Sequence, residues 1–169
     1  VDTSGNLYAV GEFGGNIVLN GATLISQGSL DVVVAKYDIA GTLVWAKTFG
    51  GSGLDRAIKV ALTADGHLAV VGQFMGSSQF GSTTLNSQGG TQDMFVLKMS
   101  QADGAVAWVR QGGSADGVDQ PNGVSVGPDG SIAVAGEFRG TAVFDMGTIT
   151  SIIDPDNGLP SVDIFLATY

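Results

Sequence analysis

Two tryptophans in this chain stand two places before a cation: Trp45 before Lys47, and Trp108 before Arg110. Residues two apart share a face of an extended strand, so each pair sets an aromatic plate beside a positive charge. Such a plate stacks on a sugar ring, with the cation reaching an anionic substituent. The same residues also serve packing, the indole filling a gap between sheets beneath the aliphatic stem of the cation. Packing has the stronger warrant, because it makes the pair recur wherever the architecture repeats. Trp45, Lys47, Trp108 and Arg110 are the residues that would form a ligand platform.

Carboxylates offer a second chemistry. The stretch IIDPDNGLPSVD, Ile152 to Asp163, carries Asp154, Asp156 and Asp163. Clustered carboxylate oxygens suit Ca2+, and Gly158 eases the turn such a loop needs. The spacing D-x-D-x-G matches the opening of a calcium loop, although the Glu that completes an EF-hand is absent. Asp-Pro and Asn-Gly are also ordinary turn formers. Ca2+ is the one cofactor for which the sequence offers a place.

The other acids read more simply. Asp31, Asp93 and Asp163 each open a β-rich run, and Asp55 and Asp119 each precede one. A short carboxylate accepts backbone N–H bonds where a loop enters a strand, and that role outweighs metal binding or catalysis. A cross-strand pair between Glu12 and Lys36 is open to this sequence. The matching positions, Gln73 with Lys98 and Glu137 with Thr168, would not be ion pairs. There is one histidine, His67, in a turn, and no cysteine. Neither a His-assisted nucleophile nor a zinc site has its usual residues. FGGSG from Phe49 lacks the Lys-Ser of a phosphate loop. No catalytic residue is assigned, and the chain is expected to be no enzyme.

What must position these residues is a repeat. DTSGNLYAVGEF (Asp2–Phe13) returns as TADGHLAVVGQF (Thr63–Phe74) and GPDGSIAVAGEF (Gly127–Phe138). DVVVAKY from Asp31 returns as DMFVLKM from Asp93 and DIFLATY from Asp163. LVWAKTFGG from Leu43 matches VAWVRQGG from Val106, and DRAIKVAL from Asp55 matches DQPNGVSV from Asp119. Leu19, Phe80 and Phe144 also correspond, as do Ser26, Ser87 and Ser151. The runs are short, rich in β-branched and aromatic residues, and bounded by Gly, Asp or Asn, which predicts strands. SGN, DGH and DGS predict tight hairpin turns. In HLAVVGQF both alternating faces are apolar, so this strand must be covered on both sides.

Ten strands result, about two and a half four-stranded blades, in repeats at approximately 1–54, 55–118 and 119–169. Sheets apolar on both faces cover one another when they stack about an axis. That predicts an all-β fold, a β-propeller segment, over a single region 1–169. A parallel β-helix is the rival, but its repeats are shorter and lack hairpin signals. Propellers close with four to eight blades, so the expectation is a slice of a larger ring; a ring built from several chains is the alternative. Ser151 to Asp163 spans twelve residues where Ser26 to Asp31 spans five, and loops that break a repeat are where binding tends to reside.

Composition narrows the partners. The net charge is −9 with seven basic residues, which excludes the clustered cations that nucleic acid or an anionic membrane surface requires. No apolar run approaches the ~20 residues of a membrane span. Neither an initiator Met nor a signal segment is present, so a piece of a longer or processed protein is expected. Twenty-seven glycines and 14% charged residues fit strands joined by many tight turns.

Taken together, D-x-S-G-N-L-Y-x-x-G-x-F, D-V-V-V-A-K-Y-D-x-x-G and W-A-K-T-F-G-G-S-G-L-D-R-A resemble the bacterial β-propeller repeat of SBBP type, over the whole chain. Thr168 stands where Lys36 and Lys98 stand, and GGSADGVDQ carries two more residues than GGSGLDR; both argue against a ligand site repeated in every blade. The resemblance implies a secreted or surface-displayed bacterial protein and implies no enzyme. The expected function is a recognition or adhesion module that binds protein or glycan through its loops. One alternative is a structural scaffold with capacity for self-assembly. The other is part of an enzyme whose active site lies elsewhere.

Overall fold

The computed structural model describes residues 1–145 and 147–169. Among the described residues there are sixteen strands and no helix, so no helix is present to cross a membrane. The first group is β1 (Leu7–Phe13), β2 (Asn16–Leu19), β3 (Ala22–Ile25), β4 (Asp31–Tyr37) and β5 (Leu43–Gly51). The second is β6 (Arg56–Leu62), β7 (His67–Met75), β8 (Ser77–Phe80), β9 (Thr83–Asn86), β10 (Gln92–Ser100) and β11 (Val106–Gly112). The third is β12 (Gln120–Val126), β13 (Ile132–Arg139), β14 (Thr141–Phe144), β15 (Gly147–Thr150) and β16 (Val162–Thr168).

Every pair of these strands runs antiparallel, and the one parallel contact among the described residues is the isolated bridge Leu30–Leu54. The central sheet runs β6-β7-β10-β11, flanked by β1-β4-β5 on one side and β12-β13-β16 on the other. These are the ten strands of the repeat. The other six form three short hairpins, β2-β3, β8-β9 and β14-β15, which strand patterning does not mark. Two of them reach back to the preceding sheet. Gln79 and Ser78 of β8 pair with Gly50 and Gly51 at the end of β5, and Val143 of β14 bridges Gly113 just after β11.

The repeated turns are built alike. Asp2, Thr63 and Gly127 each donate a backbone N–H to the carbonyl four residues on, at 2.8 to 3.0 Å. Within them Gly5, Gly66 and Gly130 have φ of 83°, 81° and 87°, a conformation that costs other residues about 1–2 kcal/mol.

Both faces of β7 are covered, as its sequence demands. Leu68, Val70 and Phe74 enter a core shared with Tyr8, Val32, Val34 and Phe49 of the first sheet. Ala69 and Val71 enter a second core with Ile132, Val134, Phe138 and Phe165 of the third. The hairpins deliver an aromatic to each junction: Phe80 lies 4.7 Å from Phe95 and 5.8 Å from Phe49, and Phe144 lies 4.8 Å from Phe165. Burying each such ring contributes about 1.5–3 kcal/mol. Glycine lets these rings in. A Cβ on Gly72 would meet the Phe95 ring at 2.7 Å and the Arg56 carbonyl; one on Gly136 would meet Phe165 at 2.7 Å and the Gln120 carbonyl.

Candidate functional site

Both tryptophans are half-buried, each against its own core, but their neighbours differ. Trp45, on β5 opposite Lys36, packs against the first core. Its indole N–H donates to the Gln101 carbonyl at 3.3 Å, and Lys36 Nζ donates to the same oxygen at 3.0 Å. Gly104 presses against this pair so closely that a side chain there would meet Lys47 Cγ at 2.8 Å and Trp45 Cε3 at 3.1 Å. The turn between β10 and β11 thus lies over the first platform.

The surroundings of Trp108 among the described residues are different. Trp108 lines an open cleft with Arg110, Asp145, Thr168 and Tyr169. The Arg110 guanidinium carbon sits 5.5 Å from the indole centroid, and Arg110 Nε meets Asp145 at 2.8 Å. The Tyr169 ring lies 6.3 Å from the indole, and burial with the Asp145 charge pushes its phenol up to about 12. The cation is therefore neutralised within the cleft. An indole face beside an Arg–Asp pair offers stacking plus both a donor and an acceptor, the chemistry that holds a sugar's hydroxyls. Asp145 and Tyr169 carry no individual signal in the sequence. Only the alignment marks Asp145, which stands where the second repeat has Gly81.

The loop Ile152–Asp163 is folded by its own hydrogen bonds. Ile153 bridges Pro160, and Asp154 N donates to the Leu159 carbonyl at 2.8 Å. Asp154 accepts the Asp156 N–H through Oδ1 and the Asn157 amide through Oδ2, both at 2.8 Å. Asp163 accepts the Ile152 N–H at 2.9 Å and the Ser161 hydroxyl at 3.2 Å. Among the described residues no three acidic, histidine or cysteine side chains converge as a metal site would require. Beside exposed Asp156 and Asn157, the loop presents three large aliphatic side chains outward: Ile152 is 72% exposed, Ile153 55% and Leu159 57%.

The strand-opening aspartates cap backbone, as their positions suggest. Asp31 accepts the Gln27 N–H at 2.6 Å, and Asp93 accepts the Gln88 N–H at 3.1 Å. Asp55 accepts from Gly51 at 2.9 Å and Asp119 from Ser114 at 2.7 Å. Burial pushes Asp93 and Asp119 up to about 6, and raises Asp55. The Glu12–Lys36 pair is not made. The register sets Glu12 against Val32, and its carboxylate lies 3.6 Å from Arg56 instead. Lys98 meets Asp65 at 2.8 Å, and buried Gln73 donates to the Asp119 carbonyl at 3.1 Å. His67 Nδ1 lies 3.2 Å from the same Asp65.

No protein-family model matches the chain. Over 159 residues it is 28% identical to the regulatory protein FlaEY of Caulobacter vibrioides, a match covering 92% of the chain. The chain spans only 15% of the length of that relative.

Two surfaces are chemically equipped to bind. The cleft at Trp108 suits a polar ring, and the loop at Ile153 suits an apolar protein surface.

Proposed function

We propose that this chain is a β-propeller segment acting as a non-catalytic recognition module outside a bacterial cell, with protein as ligand. Support for the radial arrangement comes from β6, which lies against both β1 and β12, and from cores on both faces of the central sheet. The observation that carries the binding role is the Ile152–Asp163 loop. It departs from the repeat, folds on its own hydrogen bonds, and holds three large aliphatic side chains out in water. Exposed apolar groups on a rigid loop are the anchors from which protein interfaces are built. A role in regulation, as the name of the relative states for that protein, fits binding without chemistry.

A second reading rests on the Trp108 cleft, where a glycan would stack on the indole and bond the Arg110–Asp145 pair. The test separates the two. The chain is immobilised and exposed to bacterial surface extract, untreated, protease-treated or periodate-oxidised. Protease is expected to abolish binding and periodate to leave it. The Ile153→Asp, Leu159→Asp double variant is expected to lose binding at an unchanged melting temperature. Full binding by that variant overturns the protein reading, and loss on Trp108→Ala favours the glycan.

A further inference from the structure

Asn20, Asn122 and Asn157 each precede a glycine. The nitrogen of a glycine, with no Cβ beside it, reaches the side-chain carbonyl carbon of the preceding residue with least hindrance. The three are held differently. Asn122 lies in extended β12, its amide tied to Gln120 at 2.8 Å and to Glu137 at 3.2 Å. Asn20 turns the β2-β3 hairpin with a φ of 46°. Asn157 is exposed in the loop before β16. Its Oδ1 accepts the Leu159 N–H at 2.8 Å, and its Nδ2 donates to Asp154 Oδ2 at 2.8 Å. The first bond sets a donor on the oxygen that gains negative charge when the carbon is attacked. The second sets the leaving nitrogen against a carboxylate. Nothing crowds the glycine, since a Cβ on Gly158 would meet no atom within 4 Å.

We propose that Asn157 is a deamidation site and that its conversion unlocks the loop. Gly158 N loses its proton and bonds to Asn157 Cγ. The Cγ–Nδ2 bond breaks and ammonia leaves with that proton, which gives a cyclic succinimide. Water then opens the ring at one carbonyl carbon or the other. The product is a carboxylate, with the backbone continuing either normally or through the side chain. No donor remains where Nδ2 stood. The new carboxylate faces Asp154 Oδ2, and like charges at that range repel. Asp154 is where the loop's ties converge: it accepts the Asp156 N–H on Oδ1 and the Gly158 N–H on its carbonyl, both at 2.8 Å, and donates its own N–H to Leu159. The inference needs only these internal bonds and is independent of what the loop binds.

The test begins with incubation of the chain at mildly alkaline pH, followed by peptide mapping by mass spectrometry. Asn157 is expected to convert several-fold faster than Asn20 and Asn122, giving both acid isomers. Conversion of Asn20 or Asn122 while Asn157 stays an amide overturns the site. Asn157→Asp carries the charge from the start. Hydrogen exchange is expected to show about a tenfold loss of protection at the Asp156 and Gly158 amides, at an unchanged melting temperature. Protection equal to the parent's overturns the unlocking. Adding Asp154→Asn to that variant restores a donor opposite the carboxylate and is expected to recover protection; failure to recover overturns repulsion as the cause.

Discussion

Asp31 and Asp55, from different sheets, close on Gly50 from both sides: a Cβ there would meet Asp31 Oδ1 at 2.6 Å and Asp55 Oδ2 at 2.8 Å. At the next junction Asp93 Oδ1 lies 2.7 Å from a Cβ on Gly113, and the Asp119 charge acts on Asp93. In both, one oxygen of the strand-opening acid, Asp31 Oδ1 or Asp93 Oδ1, is buried without a hydrogen-bond partner. Each junction thus encloses two carboxyls with more negative charge than it can pair.

Stability is expected to rise on mild acidification. Asp93 and Asp119 titrate near about 6 when folded, against 3.8 unfolded, because burial disfavours their charge. The fold binds these protons more tightly than the unfolded chain does. Their stabilising effect is therefore complete below about 4 and lost as pH rises through about 6. Hydrogen-bonded Asp2, held down to about 2, works in the opposite sense and loses its contribution as pH falls below about 4. Thermal melts should place the maximum near pH 4–5, a few degrees above pH 7.5, each kcal/mol shifting Tm by roughly 2–4 °C in a chain of this size. Asp93→Asn with Asp119→Asn should flatten the slope between pH 4 and 7; an unchanged slope would place the titration elsewhere.

Glycines at one repeat position should respond differently to the same substitution. Gly72→Ala and Gly136→Ala each drive a methyl into a phenylalanine ring and a carbonyl, at a cost of about 1–3 kcal/mol. Gly11 has nothing within 4 Å of where a Cβ would sit, and Gly11→Ala should change stability by less than about 0.5 kcal/mol. Urea melts of the three variants check this directly.

The tryptophans should separate stability from binding. Trp45→Ala removes a ring lodged against the Gly104 turn and should cost about 2–4 kcal/mol, toward the lower part of the range for large aromatic truncations. Trp108→Ala, beside an open cleft, should cost about half as much. Any glycan affinity should vanish with Trp108 and persist in a folded Trp45 variant, as read by calorimetry with an oligosaccharide panel.

Chelation should leave the melting temperature unchanged. Each oxygen of Asp154 and Asp163 already accepts a hydrogen bond from the backbone or a side chain of its own loop, so the loop has its own internal ties. A fall in Tm on adding EDTA, reversed by Ca2+ and absent in Asp156→Asn, would put calcium at Asp154, Asp156 and Asp163.

Strands were legible where the apolar runs are long. HLAVVGQF announced two covered faces, and DVVVAKY marked β4 residue for residue, because runs of seven or so residues rich in Val and bounded by Gly, Asp or Asn are too short for a buried helix and suit a strand. The hairpins escaped because four-residue strands such as NIVL and SSQF give too few alternations to separate from turn. That omission hid the site as well. Asp145 reaches Arg110 only because β14 folds back across the junction, and Glu12 misses Lys36 only because of register, which composition does not encode.

The back-reaching hairpins carry a lesson about how such a chain divides. Phe80 and Phe144 each belong to one repeat but are wedged between its sheet and the hairpin's anchorage on the preceding one. The repeating stretch of sequence and the packed body are consequently out of phase. A fragment cut neatly between sheets would uncover one side of an aromatic, whereas one cut after the hairpin would retain its clasp. Excision, shuffling or proteolytic trimming should favour the second boundary.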